Sequence, residues 1–171
     1  MKLGKVILAA ALCFGVASAS NFVDYKGLTH NLKTDAKKNG EIASTEEVKK
    51  ALTSADWAVV DVRTMDEWQA ASIQGSQRIG RESPEKALEG IVLDDNNKFV
   101  KDNIIVVCNT ASRAAIEAQA FKQMGFKTVK IYGIETWMKE CNPVNNWYSN
   151  VEANKDTKAK FGSILPAYCA K

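Results

Sequence analysis

The sequence predicts an α/β fold with a central, mostly parallel sheet and helices on both faces. WAVVDV (57–62) and NIIVV (103–107) are near-continuous apolar, β-branched runs, the pattern of strands covered on both sides rather than of strands with one wet face. Helical patterns with their own start and stop signals stand between and after these runs. Alternation of that kind builds a parallel sheet through crossover helices.

Taken in order, residues 20–43 are rich in Asn, Lys and Asp and weakly periodic, and they read as an exposed lead-in. STEEVKKAL follows, with Ser44 and Glu47 at the spacing of a capping box, so a helix begins there. After the strand at 57–62, TMDEWQAA opens with Thr64 and Glu67 at the same spacing and predicts a short helix. SQRIG reads as a short strand and SPEKALEGI as a helix with Pro84 in its first turn. NIIVV is the clearest strand. SRAAIEAQAFKQM is strongly helical, with Ala115, Ile116, Ala120 and either Phe121 or Met124 forming an apolar stripe and Gly125 placed to end it. KTVKIY is a further strand, followed by Gly133 and a short helix, IETWMKE. Trp137, Trp147 and Tyr148 read as core or hinge aromatics rather than a ligand box. Residues 149–171 read as a tail, a solvated Lys-rich run to Lys160 and then an apolar group, FGSILPAYCA, whose expected place is against the domain.

The N-terminus sets the expected compartment. Lys2 and Lys5 precede the uncharged stretch VILAAALCFGVA and then ASA before Ser20, the pattern of a secretory signal peptide cleaved after Ala19. The stretch is too short to span a bilayer comfortably. The expected location is therefore periplasmic or otherwise exported, with no stable membrane association after cleavage, and Cys13 leaves with the signal. Cleavage also takes two lysines from a net charge of only +3, so neither nucleic acid nor an acidic membrane surface is suggested as a partner.

Three cysteines then remain: Cys108, Cys141 and Cys169. An odd count in an exported chain implies one free or intermolecular thiol. No pair has the two-residue spacing of a metal or thioredoxin-like site, and the only histidine, His30, lies in the polar lead-in and reads as a solvated loop residue. No metal site and no cofactor are expected. A disulfide between Cys141 and Cys169 would fasten the tail and leave Cys108 free; two free thiols, or a resolving role toward Cys108, are the alternatives.

Cys108 stands at the carboxyl end of the predicted central strand and Arg113 at the start of the next helix, where open α/β sheets place their ligands. The loop CNTASR can curl its backbone amides toward the sulfur, and the helix N-terminus adds partial positive charge. Such surroundings favour the thiolate, the form that attacks, and would equally stabilise a bound anionic sulfur.

Over about residues 44–148 the sequence resembles the single-domain rhodanese family. VVDVRTMDEWQAASIQGSQRIG is similar to the family's Asp-Val-Arg segment with its acidic-aromatic helix and Gly75. CNTASR is similar to its active-site loop, and MGFKTVKIYGIETWMKECNPV to its closing strand and helix. The resemblance implies a rhodanese-like fold in which Cys108 accepts a sulfane sulfur as a persulfide and passes it on. The expected partners are a small anionic sulfur donor and a thiol or cyanide-like acceptor. It further implies that Asn109, Thr110, Ala111, Ser112 and Arg113 form the amide cradle. Arg113 would anchor the loop or attract the donor, and Asp61 and Arg63 would brace the sheet end.

Three positions depart from the family pattern: Ser72 where many members have histidine, Ala111 for a frequent glycine, and Asn109 for a frequent basic residue. The loop has four residues between cysteine and arginine, whereas the related phosphatases have five, and it contains no carboxylate to act as general acid. The competing reading is a rhodanese-fold binding or sulfur-carrier module with little turnover. The expected layout is a signal peptide (1–19), the lead-in (20–43), the rhodanese domain (44–148) and the tail (149–171).

Overall fold

A computed structural model of the chain describes residues 22–147 and, in the tail, the backbone of 162–164 and Cys169. The signal-peptide pattern, Tyr148 and the Lys-rich run lie outside the described residues. In chain order the elements are α1 (Tyr25–Lys38), α2 (Thr45–Leu52), β1 (Trp57–Asp61), α3 (Met65–Ala70), β2 (Gln77–Arg78), α4 (Pro84–Val92), β3 (Asn103–Cys108), α5 (Ser112–Gln123), β4 (Thr128–Gly133), α6 (Ile134–Lys139), β5 (Val144–Asn146) and β6 (Gly162–Ile164).

The four strands β2-β1-β3-β4 lie in that order and all run parallel. Alternate residues feed two separate cores, as the pleat requires. Ala58, Val60, Ile104, Val106 and Ile131 pack on one face with residues of α1, α4 and α5. Val59, Ile105, Val107 and Tyr132 pack on the other with Val48 and Ala51 of α2 and Ile134 and Trp137 of α6. All six residues of β3 are buried, the physical reason its sequence is an unbroken apolar run. Both predicted capping boxes form, at Ser44 with Glu47 and at Thr64 with Glu67. Lys130 of β4 also donates to Glu47, and that bond, with those from Ser44, lowers the Glu47 carboxyl to about 2.

Two expectations are corrected. The stretch read as an exposed lead-in contains the 14-residue helix α1. The Asp24 carboxylate accepts the Gly27 amide proton at 2.7 Å, Lys37 and Lys38 occupy the last turn, and Gly40 follows with φ 68°. Thr29 and Ala36 are buried and Leu32 packs against the core, too narrow a stripe to register as periodicity, and α1 is stabilised by lying against α5. His30 is accordingly a helix residue, though exposed. The second correction concerns α5. Its fully buried residues are Ala114, Ala115, Ala118 and Phe121, while Ile116 and Ala120 are half-buried. With α1 on one side and β3 and β4 on another, the alanines at the tightest approach are the ones that become inaccessible.

Beyond α6 the backbone of β6 pairs antiparallel with β5, so part of the tail returns to the domain. Cys141 and Cys169 are joined by a disulfide with Cα atoms 5.5 Å apart. Trp137 is buried and donates its indole N–H to the Pro143 carbonyl at 2.8 Å, whereas Trp147 is half-buried with its ring 6.0 Å from that of Trp68. Among the described residues no helix is long and apolar enough to cross a membrane.

Candidate active site

Parallel strands carry their carboxyl ends to one edge of the sheet, and the register aligns Asp61 with Val107 and Cys108 with Gly133 there. Cys108 is only 1% exposed, so a reactant meets its sulfur at the floor of a loop rather than on the surface. The chain climbs over Asn109 and Thr110 and turns at Ala111, whose φ of 63° is left-handed, before entering α5. A residue with a Cβ holds that conformation at a cost of about 1–2 kcal/mol, the consequence of lacking the glycine frequent in the family's loop. The Ala114 amide, in the first turn of α5, donates to Cys108 Sγ at 3.5 Å. Gly133 lies beneath the loop: a Cβ there would stand 3.0 Å from the Asn109 carbonyl oxygen and 3.4 Å from the Ala111 nitrogen. The Asn109 carbonyl also accepts the Glu135 amide proton at 3.2 Å, tying the loop to α6.

The loop is braced by a chain of ion pairs. Asp61 and Arg63 form a buried pair, 0% and 3% exposed, in which Nη2 donates to Asp61 Oδ2 at 2.7 Å and Nε reaches both carboxylate oxygens at 3.0 Å. The same guanidinium donates to the carbonyls of Glu67 and Ala71 and to Asn109 Oδ1. Arg63 therefore connects the end of β1 to α3 and to the residue after the cysteine. A pair of this kind, removed from water, holds its geometry because every remaining donor has an acceptor.

Arg113 is held in turn by Glu67. Its two terminal nitrogens each donate to one Glu67 oxygen at 2.7 Å, a bidentate pair. Glu67 receives Asn109 Nδ2 at 2.8 Å as well as the Thr64 backbone and hydroxyl protons. Bonding to Arg113 holds the Glu67 carboxyl well below the usual carboxylate range, and the Arg113 guanidinium is pushed above its ordinary value by Glu67 first, with Cys108 adding a smaller effect. The bond to Glu67 is the contact an anchoring role for Arg113 requires. Both ends of the Asn109 amide are likewise engaged. Glu67 is the participant that sequence reasoning missed: its spacing from Thr64 announced only a helix cap, and its bond to Arg113, 46 positions away, has no local signal. Among the described residues no group of His, Cys, Asp or Glu is arranged to hold a metal ion.

A four-stranded parallel sheet with a cysteine at the end of its third strand in sequence and an arginine-anchored loop leading into a helix defines a cysteine-centred α/β domain. Residues 44–140 match the rhodanese-like domain family, and the chain belongs to it. At the level of family this is a sulfurtransferase-type protein. The polysulfide-sulfur transferase homodimer of Wolinella succinogenes is similar in fold, with a TM-score of 0.53 at 23% identity over 77% of this chain and 100% of that one. So is a protein of unknown function from Rhodopseudomonas palustris described as a possible tyrosine phosphatase, with a TM-score of 0.51 at 19% identity over 71% of this chain and 94% of that one. No curated protein matches the chain in sequence.

Proposed function

We propose that the protein is an exported sulfurtransferase in which Cys108 takes up a sulfane sulfur as a persulfide and delivers it to a thiophilic acceptor. The observation that carries this reading is the single free cysteine among the described residues, seated at the end of β3 with its sulfur 3.5 Å from the first-turn amide of a 12-residue helix. A helix N-terminus favours anionic sulfur, and the persulfide anion is such a group.

With thiosulfate as donor, the Cys108 thiolate attacks the outer sulfur, the new S–S bond forms as the old one breaks, and sulfite leaves with the electron pair. An acceptor such as cyanide then attacks the outer sulfur of the persulfide, giving thiocyanate and regenerating the thiolate. Neither step needs a cofactor or an added redox partner. Polysulfide would react in the same way, and the name of the Wolinella protein makes it a donor to try. The loop contains no carboxylate to serve as a phosphatase's general acid, which favours sulfur over phosphate chemistry. Export is supported by the N-terminal pattern and by the Cys141–Cys169 disulfide, a bond at home in oxidising compartments.

The test is intact-mass spectrometry of the protein after thiosulfate or polysulfide, then after cyanide. Wild type is expected to gain the mass of one sulfur and lose it to cyanide, and Cys108→Ser to gain none while keeping its circular dichroism. A serine variant that loads sulfur as wild type does refutes the reading.

A further inference from the structure

Arg113 is already paired with Glu67 and Arg63 with Asp61, so each arginine near the cysteine has a carboxylate partner. We propose that Lys33 of α1, outside the stretch that matches the family, recognises the negative charge of the sulfur donor. The inference rests on the persulfide reading above.

Lys33 is half-buried, and among the described residues it has no acceptor. Each of the other lysines and arginines that is not exposed has one. Arg63 bonds Asp61, Arg78 the Arg63 carbonyl, and Lys101 the carbonyls of Ala55 and Trp57, while Arg113, Lys122 and Lys130 bond Glu67, Glu41 and Glu47. With no protein acceptor, the Lys33 ammonium is left to water or to an anionic ligand.

Its location fits that ligand. Lys33 lines a cavity of about 340 Å³ together with Asn109, Thr110 and Ala111, and also the neighbouring cavity of about 680 Å³ that Ser112 lines. It thus borders, through these two cavities, the loop residues that follow Cys108. Glu135, on the smaller cavity, has Lys139 as its partner at 3.9 Å, and Asp24, on the larger, caps α1. The inward packing of Thr29, Leu32 and Ala36 fixes the rotation of α1, and with it the side Lys33 presents. A small sulfane anion such as thiosulfate would find there the N-terminus of α5, the loop and the half-buried Lys33, with the exposed Lys26 on the larger cavity.

Modification of Cys108, read by mass against reactant concentration, tests this with thiosulfate, which leaves a persulfide and releases sulfite, and with an uncharged dialkyl trisulfide, which leaves a mixed trisulfide and releases an alkyl thiolate. Lys33→Gln is expected to raise the half-loading concentration for thiosulfate by about fivefold to tenfold, a size typical of one ion contact. Loading by the trisulfide is expected to stay at the wild-type level. Lys33→Glu should be worse with thiosulfate, and Lys33→Arg should restore most of the loss. Equal behaviour of Lys33→Gln and wild type with thiosulfate, or equal losses with both donors, overturns the proposal. If Lys33→Gln fails to fold, wild type decides: half-loading by thiosulfate that weakens with salt while trisulfide loading does not supports the proposal, and parallel responses overturn it. Wild type that gains no sulfur from either donor overturns the sulfurtransferase reading itself, and the role of Lys33 with it.

Discussion

Replacing Glu67 by Gln leaves the shape of the side chain and removes its charge. One oxygen remains to do the work of two, and an amide group now faces Arg113 or the Thr64 N–H, a donor against a donor. The losses are the two 2.7 Å bonds to Arg113 in their charged form and part of the bonding to Asn109 and Thr64. Hydrogen bonds to charged groups contribute about 1.5–3 kcal/mol when protected and exposed ion pairs only about 0.2–1. Arg113 and Glu67 side chains are 22% and 31% exposed, so a value of about 2 kcal/mol is expected. For a chain of this size that lowers the melting temperature by roughly 4–8 °C.

The pH dependence carries its own sign. The Glu67 carboxyl is depressed below its ordinary value of 4.5 in the folded protein, so its stabilisation is fully present above the unfolded value and is lost as pH falls toward the folded one. Calorimetry of wild type and Glu67→Gln should therefore show a full gap at neutral pH that narrows below about pH 4.5. Sulfur loading should slow at neutral pH, because Arg113 and Asn109 no longer hold the loop over Cys108. A gap that is absent at neutral pH, or unchanged in acid, refutes the anchoring role.

Gly133→Ala places a Cβ 3.0 Å from the Asn109 carbonyl oxygen, a backbone atom that cannot swing aside. The loop is expected to shift by a few tenths of an ångström, destabilising the fold by about 1–3 kcal/mol and slowing sulfur loading; a melt and a loading curve check both, and unaltered values would show that the loop yields freely. Cys141→Ser opens a disulfide spanning 28 positions and should cost about 3.6 kcal/mol on the chain-entropy account. Wild type in reductant is expected to melt like the variant, and peptide mapping of alkylated native protein should find Cys108 alkylated and the other two crosslinked. A crosslink that includes Cys108 would instead make the tail part of the redox chemistry.

Features written locally or as a period can be read from the chain alone. Strands buried on both faces must be apolar throughout, so the residues of β1 and β3 announced a covered parallel sheet. Ser44 with Glu47 and Thr64 with Glu67 meet within one helical turn, so their capping boxes were legible from spacing alone. Cys108 at a strand end and Arg113 at a helix start followed from the same patterns. Features that depend on pairs brought together from afar emerge only with the fold. The helix α1 exists because α5 offers it a surface, and three inward residues in its own sequence are too few to say so. The rotation of α5 follows from the elements packed around it rather than from its own period. Arg113 is paired because the fold sets Glu67, 46 positions earlier, against it. Lys33 came to the rim of the loop by the same route. Periodicity fixes which face of an element is apolar; which charges meet across the fold depends on separations that no single stretch of chain encodes.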